Sequence, residues 1–509
     1  MSWSRVVPAA LALCLLVACT SGSQSTQPQP TPASSSAAPP TDTETSDPAL
    51  AAFYDQHIAW RGCHNGFDCT KVRVPVDYAA PTGPSIALSV VRLRSKGGDR
   101  LGSLLLNPGG PGASGVGYAE AADRVTSGDV RKHYDIVGFD PRGVGESAPI
   151  RCLSDSEMDT FTAQDGSPDD SAEEAQLVRL SKLFGERCAA GNGGLLAHVG
   201  TRDSARDLDV LRGVLGDARL NFLGKSYGTY LGAIYAEMFP DRVGRLVLDG
   251  VVDPAADAAA LARSQAIGFE RALASFVDDC LRRRGCPLSG DRTHALGQVS
   301  GILDAADRTP LRGTRPVTQS LALLGMAYSM YDPALWPVLR EALAQAINGN
   351  GSTLLLLADF YLNRNAKGHY TTNGNDAMYA VTCLDRGETT DLTALQARAS
   401  AFDAVAPRFG AYLAWGFLPC AYWSVPPEGK AAPIQAPGAG PILVVGTTRD
   451  PATPYAFAKN LAAELDSGRL LTYDGDGHTA YKEGSGCIDD AVDAYLVDGK
   501  LPDEGTRCR

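Results

Sequence analysis

One serine stands between two glycines in the stretch NFLGKSYGTYLG, residues 221–232. Ser226 lies between Gly224 and Gly228, after an apolar run typical of a strand and before a run typical of a helix. In the pattern G-x-S-x-G, a sharp strand-to-helix turn exposes the serine hydroxyl above a sheet, and glycines are needed where strand and helix crowd together. A structural turn that only requires small residues is the alternative. The flanking strand and helix favour a nucleophilic serine.

A serine hydroxyl becomes a good nucleophile only when a general base takes its proton. Of the seven histidines in the sequence, His478 is the one that follows the last predicted strand, in DGDGHTAY. Enzymes that place a serine on such a turn carry their catalytic residues in the order serine, acid, histidine. We therefore expect His478 to be the base. A capping or surface histidine is the alternative interpretation.

Four aspartates are candidates for the acid that orients the imidazole and stabilises its charged form. Asp450 closes the penultimate predicted strand in VVGTTRDPATP, and the proline and helix that follow it favour this residue. Asp249 closes an earlier strand, at a position that some lipases use for their acid. Asp474 and Asp476 lie just before the predicted base in sequence and could be turn residues.

The glycine-rich loop NPGGPG, residues 107–112, follows the first predicted parallel strand. Glycines let backbone N–H groups approach a substrate closely and point at one position. We expect the Gly110 N–H and the Tyr227 N–H, just after the serine, to form an oxyanion hole. A tight turn without this role is the alternative for the loop. Because the four parts follow one another in the required order, they indicate that Ser226 attacks a carbonyl carbon.

Short apolar strands that alternate with helices position these residues. A predicted hairpin comes first, from residues 72–78 and 85–95, and helical patterns occupy residues 204–216, with Ser204 or Asp203 as the cap, and 453–465. The predicted strands lie within residues 102–112, 134–147, 219–228, 245–253, 441–450 and 468–478. This alternation predicts an α/β fold with a mostly parallel sheet that helices cover on both faces. In such sheets the chemistry lies at the carboxyl ends of the strands.

Residues 256–430 interrupt the alternation with helical patterns, which predicts a large α-helical cap inserted before the last two strands. Residues 150–200 form a second, smaller insertion. The first residues resemble a bacterial lipoprotein signal, because an apolar run too short to span a bilayer ends in LVAC at Cys19. An ordinary secretory peptide cut nearby is the alternative, and both predict export. The predicted segments are a signal peptide at 1–19, a disordered Ser/Thr/Pro-rich tether at 20–48, core at 49–255, cap at 256–430 and core at 431–509.

Cysteine usage agrees with export. Of 12 cysteines, Cys14 and Cys19 belong to the signal, and the ten that remain are an even number, as disulfides require. Sequence alone does not fix their connectivity, and the zinc alternative lacks a CxxC motif or a histidine cluster. The simplest pairing joins Cys63 to Cys69, Cys152 to Cys188, Cys280 to Cys286, Cys383 to Cys420 and Cys487 to Cys508.

The charge balance excludes one class of partner. The net charge is −12, from 58 acidic and 46 basic side chains, and no basic run offsets it. Nucleic-acid binding selects for basic surfaces, so nucleic acid is not an expected partner. The motifs imply neither a metal nor an organic cofactor.

Several motifs resemble the secreted actinomycete tripeptidyl aminopeptidases, which are α/β-hydrolases related to proline iminopeptidases. They include LLLNPGGPGASG, YDIVGFDPRGVGES, NFLGKSYGTYLGAIYAEMFPDRVGRLVLDGVVDP, GTTRDPATPYAFAKNLA and GDGHTAY, and the resemblance covers roughly residues 55–509. It implies the α/β-hydrolase fold and Ser226, Asp450 and His478 as a triad. Lys225 departs from the family, which often has an uncharged residue there.

The resemblance also implies what the protein acts on. We expect an exported serine peptidase that releases short N-terminal peptides, tripeptides in particular, through an acyl-enzyme. Its partner would be a peptide with a free N-terminus, and it would touch the membrane only through a lipid anchor. A cap acid could pair with the substrate α-ammonium, although the sequence does not choose among the cap's Asp and Glu residues. An esterase or lipase with the same triad, and a non-catalytic envelope lipoprotein, are the alternatives.

Overall fold

A ten-stranded sheet runs through the computed structural model, which describes residues 47–64 and 66–509. The predicted signal peptide, Cys19 and most of the predicted tether lie outside the described residues. The strands are β1 (Arg61–Gly62), β2 (Asp68–Pro75), β3 (Ser85–Leu93), β4 (Gly102–Asn107), β5 (Tyr134–Phe139), β6 (Leu220–Lys225), β7 (Val243–Asp249), β8 (Ile442–Arg449), β9 (Gly468–Asp476) and β10 (Arg507–Cys508).

The sheet is mostly parallel, in the order β1-β2-β3-β5-β4-β6-β7-β8-β9-β10. The predicted hairpin is confirmed, because β2 and β3 are antiparallel and Val72 lies opposite Leu88. The β3 strand also runs antiparallel to β5. From β5 to β10 every neighbouring pair is parallel, as the alternation of strands and helices predicted. The two-residue edge strands β1 and β10 are too short to show a periodic pattern in sequence.

Helices cover both faces of the sheet and fill the insertions. None of those in the described ranges is both long and apolar enough to cross a bilayer. The α-helices are α1 (Ala51–Tyr54), α2 (Gly115–Glu120), α3 (Ala122–Val125), α4 (Gly128–His133), α5 (Asp155–Ala163), α6 (Ser171–Asn192), α7 (Thr201–Val214), α8 (Tyr227–Met238), α9 (Ala258–Leu281), α10 (Arg292–Arg308), α11 (Gln319–Met330), α12 (Trp336–Ala346), α13 (Ser352–Tyr361), α14 (Gly374–Asp385), α15 (Leu392–Asp403), α16 (Gly410–Trp415), α17 (Leu418–Ala421), α18 (Tyr455–Glu464) and α19 (Gly486–Asp498).

The apolar runs of the central strands are buried on both faces of the sheet. In β4, Leu105 packs on the face that is covered by α7, α8 and α18, whereas Leu104 and Leu106 pack on the face that is covered by α2, α4 and α19. All six residues of β4 are buried. Full burial of a leucine side chain contributes roughly 1.5–3 kcal/mol, so such strands tolerate few polar residues. This explains why they are continuously apolar rather than alternating.

The helices α9–α17 lie between β7 and β8 and have a core of their own, which includes Phe276, Leu321 and Leu354. The smaller insertion between β5 and β6 contributes α5 and α6. It packs against this helical region, since the rings of Phe161 and Phe184 contact the ring of Tyr379 on α14. The lid over the sheet is therefore built from two separate segments of the chain.

The predicted cap of the helix at 204–216 is wrong. The helix begins earlier, at Thr201, and its N-cap is Gly200. The Thr201 N–H donates instead to Oδ1 of Asp385, the last residue of α14, at 2.9 Å. A carboxylate that comes from 184 residues away in sequence takes the place of a local cap.

Five disulfides join the ten cysteines of the described chain, in the same five pairs as the simplest pairing proposed from the sequence. Because Cys63 and Cys69 are bonded to each other, they are not available as zinc ligands. The bonds are Cys63–Cys69, Cys152–Cys188, Cys280–Cys286, Cys383–Cys420 and Cys487–Cys508. Structural disulfides form and persist in oxidising compartments, so they agree with export.

Candidate active site

Ser226 occupies a strained turn between β6 and α8. Its φ is +55°, a left-handed conformation that side-chain-bearing residues adopt at a cost of about 1–3 kcal/mol. A Cβ at Gly224 would lie 2.3 Å from the Gly228 oxygen, and a Cβ at Gly228 would lie 2.7 Å from the Asn107 oxygen. Both glycines are therefore required by the close approach of strand, helix and loop. The turn directs Ser226 into a cavity below the helical region.

His478 lies on the loop after β9 and contacts Asp450. Its Nδ1 is 2.9 Å from Asp450 Oδ1 and 3.0 Å from Asp450 Oδ2. The ring also stands edge-on to Tyr331 of the helical region, with centroids 5.1 Å apart. The backbone N–H of His478 donates to the backbone carbonyl of Tyr331 at 2.8 Å. The other ring nitrogen, Nε2, is buried and makes no hydrogen bond within the described chain. The imidazole is thus held at Nδ1 and open at Nε2.

A ring of donors fixes the Asp450 carboxylate, which is fully buried. Oδ1 accepts the N–H of Ala452 at 2.9 Å and the N–H of Thr453 at 2.8 Å. Oδ2 accepts the Thr453 hydroxyl at 3.0 Å and the Thr479 N–H at 3.2 Å. These bonds stabilise the ionised carboxylate beside the imidazole.

The other three candidate acids have different partners. Asp249 accepts the N–H groups of Ala480 and Tyr481, and burial raises the pKa of its carboxyl group. It therefore supports the loop that follows His478 rather than the imidazole itself. Asp474 and Asp476 form ion pairs with Arg449 on β8. Of the four aspartates, the structure brings only Asp450 to His478.

The glycine-rich loop packs directly against the serine turn. A Cβ at Gly109 would lie 2.8 Å from the Ser226 Cβ and 2.9 Å from the Tyr227 nitrogen. The Gly109 N–H is engaged by the Asn107 side-chain oxygen at 2.9 Å. In contrast, the N–H groups of Gly110 and Tyr227 have no acceptor among the described residues, and both residues line the cavity with Ser226. Asn107, which orders this loop, was not singled out by the sequence analysis.

Lys225 lies beneath the turn, away from the cavity. Its ammonium donates to the Tyr481 carbonyl and to Glu483 Oε1, both at 2.7 Å. Burial alone would lower the pKa of Lys225, but the neighbouring Tyr118, Asp249 and Glu483 outweigh it, so the pKa is raised and the group stays charged. The departure from the family pattern therefore alters the support of the turn and not the lining of the cavity.

The cavity beside Ser226 has a volume of about 300 Å³. Its floor is the serine turn and the glycine-rich loop, and its walls come from the helical region and from α5 and α6 of the smaller insertion. The walls carry many aromatic side chains, among them Phe161, Phe269, Tyr331, Tyr361, Tyr412 and Trp415. Largely apolar clefts of this size with a few polar groups are typical of small-molecule and peptide sites.

A hydroxyl, an imidazole paired with a carboxylate, and two free backbone N–H groups are the parts that acyl transfer requires. They lie at the carboxyl ends of parallel strands, on a sheet that is covered on both faces by helices. The molecule has the α/β-hydrolase fold, with a large helical region between β7 and β8, and it is a serine hydrolase.

Comparison with known proteins defines the class more narrowly. Residues 406–508 match the family described as TAP-like protein. The chain is 39% identical over 476 residues to the serine protease Hip1 of Mycobacterium tuberculosis, covering 89% of this chain and 91% of that protein. It is 37% identical over 449 residues to carboxylesterase B of the same species, covering 86% of each. It is 33% identical over 483 residues to the tripeptidyl aminopeptidase of Streptomyces lividans, covering 92% of this chain and 90% of that protein. The chain belongs to the TAP-like family.

Proposed function

We propose that the protein is an exported serine peptidase that releases tripeptides from the N-terminus of its substrates. Ser226 is the nucleophile, His478 the general base and Asp450 the acid in this proposal. The observation that carries it is the contact of His478 Nδ1 with Asp450 at 2.9 Å, which leaves Nε2 without a partner. The relatives described as serine protease and as tripeptidyl aminopeptidase support a peptide substrate.

The reaction follows from the roles of these groups. Ser226 Oγ attacks the carbonyl carbon as its proton passes to His478 Nε2, and Asp450 stabilises the imidazolium that forms. The carbonyl oxygen becomes an oxyanion and accepts the N–H groups of Gly110 and Tyr227. Loss of one such donor typically costs about 2.7–4 kcal/mol of transition-state stabilisation.

Collapse of the tetrahedral intermediate breaks the carbon–nitrogen bond, and the leaving amine takes the proton from His478. The N-terminal fragment stays bound to Ser226 as an ester, while the shortened chain leaves. Water attacks this ester, gives its proton to His478, and the serine oxygen leaves with that proton. The products are the free tripeptide and the shortened chain.

An esterase is the second candidate, and two observations favour it. The cavity walls are largely apolar, and one relative is described as a carboxylesterase. An esterase would need an apolar acyl pocket but no group that recognises a terminal ammonium. The two functions therefore differ in what they demand of the substrate's N-terminus.

Kinetics on matched substrates separate these functions. We expect a tripeptidyl amide with a free N-terminus to be cleaved well, its N-acetyl form poorly, and a long acyl ester no better than a short one. Ser226→Ala should abolish cleavage while the circular dichroism spectrum stays native. Equal kcat/KM on both peptides would refute the exopeptidase function, and a steady rise with acyl chain length would establish the esterase. Full activity in Ser226→Ala would remove the nucleophile assignment.

The cellular location is part of the proposal. Five disulfides support export, and we propose that Cys19 carries a lipid that holds the protein at the outer face of the cytoplasmic membrane. The proposed segments are a tether to residue 48, core at 49–255 and 431–509, and cap at 256–430. The helices from Ala258 to Ala421 support the proposed cap.

A further inference from the structure

Two charged side chains stand out in the apolar wall of the cavity. Asp385 and Arg386 are consecutive residues at the end of α14, and they are the charged residues among those that line the cavity with Ser226 in the described chain. Both are more than nine-tenths buried. Burying a charge costs free energy unless a partner compensates it, so we expect each side chain to have a partner in the protein or in a ligand.

Thr201 fixes the orientation of the Asp385 carboxylate. Oδ1 accepts the Thr201 N–H at 2.9 Å and Oδ2 accepts the Thr201 hydroxyl at 2.6 Å. The same hydroxyl lies 2.6 Å from the phenol of Tyr227, the residue after the serine. The carboxylate forms no ion pair within the described chain, and burial raises its pKa to about 6. It has acceptor sites left, and Arg386 is near enough to lower its pKa without forming an ion pair with it.

Arg386 presents a donor without an acceptor. Its guanidinium lies over the ring of Tyr230, 4.5 Å from the centroid, and Nε donates to the Ala256 carbonyl at 3.2 Å. The Nη2 atom is buried and has no hydrogen-bond partner in the described chain. Buried donors are nearly always paired in proteins, so this atom points to an acceptor that a ligand brings.

We propose that Asp385 and Arg386 together recognise the N-terminus of the substrate. Asp385 pairs with the α-ammonium, and Arg386 Nη2 donates to the carbonyl oxygen of the first residue. In a peptide these two groups are three covalent bonds apart, and two consecutive residues of opposite charge in the wall of one cavity match them in chemistry. The assignment rests on the exopeptidase function proposed above and names the group that recognises the chain end.

Other acids of the helical region are poorer candidates. Asp279 already pairs with Arg283 and Arg340, and Glu388 pairs with Arg398. Asp376 lies on the same helix as Asp385 and is equally buried, but it is absent from the lining of the cavity. Burial also raises the pKa of Asp376 to about 6. It is therefore a matched control, with the same helix, burial and charge but no access to the substrate.

The first test compares kcat/KM for a free tripeptidyl amide with kcat/KM for its N-acetyl form. Titration of Ser226 with a fluorophosphonate gives the concentration of active sites in each preparation. We expect the native protein to favour the free peptide by about 30-fold or more, because blocking the ammonium leaves a buried carboxylate unpaired. The ratio should fall close to one in Asp385→Asn and stay at the native value in Asp376→Asn.

The outcomes separate this assignment from the function on which it rests. A native protein that cleaves both peptides equally refutes the exopeptidase function itself. A native protein that discriminates, with an unchanged ratio in Asp385→Asn, refutes the role of Asp385 alone. Arg386→Met should lower kcat/KM for both peptides by about 10-fold or more, since both carry the first carbonyl. Unchanged values in that variant would remove Arg386 from the proposal.

A second measurement needs no variant at Asp385, in case its replacement prevents folding. The ratio of kcat/KM for the two peptides cancels every pH effect on catalytic steps that both substrates share. We expect this ratio to fall as pH decreases through about 6, because Asp385 then binds a proton. Arg386 and Glu428 are the charged groups that face Asp385, and the Glu428 carboxylate raises the pKa of Asp385. Glu428→Gln is therefore the control, and it should keep the limb but move it to lower pH. A ratio that is flat across this range overturns the assignment.

Discussion

Replacement of Asp450 by asparagine tests the proposed triad directly, because it exchanges one oxygen for an amide group with little change of shape. The Ala452 and Thr453 N–H groups both donate to Oδ1, so this position must remain an oxygen. The amide NH2 then occupies the Oδ2 position, 3.0 Å from His478 Nδ1. Oδ1 also lies 2.9 Å from Nδ1, but it already accepts two N–H groups, so the amide donates to Nδ1 and selects the imidazole tautomer that carries its proton on Nε2. That tautomer cannot accept the proton of Ser226.

The expected loss is large in turnover and moderate in stability. A triad held in the wrong tautomer typically loses about 10⁴-fold in kcat, which corresponds to roughly 5–6 kcal/mol of transition-state stabilisation. The Thr479 N–H, 3.2 Å from Oδ2, would also face a donor instead of an acceptor. One buried donor left without an acceptor costs about 1–3 kcal/mol in the free energy of unfolding. The fold should survive while the activity does not.

The assay combines kcat on the free tripeptidyl amide with urea unfolding of the same preparations. Asp474→Asn is the control, because it removes a partly exposed carboxylate that pairs with Arg449 on the neighbouring strand. It should keep kcat within about two-fold, as surface ion pairs contribute little. An Asp450→Asn protein that folds and retains a tenth of native kcat would refute the role of Asp450. Asp249 would become the acid if its asparagine variant alone were inactive and folded.

Three further predictions concern stability and location. Replacing Cys383 and Cys420 by alanine should lower the free energy of unfolding by about 4 kcal/mol, because their bond closes a loop with a sequence separation of 37. Loss of the Cys280–Cys286 bond, with a separation of 6, should lower it by about 2 kcal/mol. Equal losses in urea unfolding would contradict the chain-entropy explanation. Burial raises the pKa of Asp376 to about 6, so its carboxyl group contributes stability below about pH 4 that is lost as pH rises through about 6. Asp376→Asn should remove this dependence, worth roughly 3 kcal/mol for a shift of about two units, and an unchanged difference in unfolding free energy between about pH 4 and 7 would refute it. Cys19→Ala should move the protein from the membrane fraction to the medium, and an unchanged distribution on immunoblots would show that the lipid is not what holds it.

The order of strands and the grouping at their ends could be predicted from the sequence, because both depend on local patterns. Apolar runs such as that of β4 are buried on both faces, so their composition marks them as central strands. Once the sheet is parallel, its carboxyl ends share one edge. Residues that follow different strands, such as Ser226, Asp450 and His478, are then placed on the same side of the molecule without knowledge of any contact between them.

The parts that could not be predicted depend on contacts between distant segments. The predicted N-cap of α7 was wrong because Asp385, far along the chain, accepts the Thr201 N–H that a local cap would otherwise accept. Lys225 departs from the family pattern, and the sequence could not show its partner, because Glu483 lies 258 residues later, beneath the turn. No periodicity in the helical region distinguishes Asp385 from its other acids. Its place in the lining of the cavity is visible only in the structure.

The helical lid has a consequence for how the enzyme can be altered. A lid made from one insertion could be exchanged between relatives as a unit, with two junctions. Here α5 and α6 leave the core between β5 and β6, while α9–α17 leave it between β7 and β8, and the rings of Phe161 and Tyr379 meet between them. Both residues also line the cavity. Substrate preference therefore depends on both segments, and a chimera that exchanges only one of them will bring together cavity walls whose side chains do not pack well against each other.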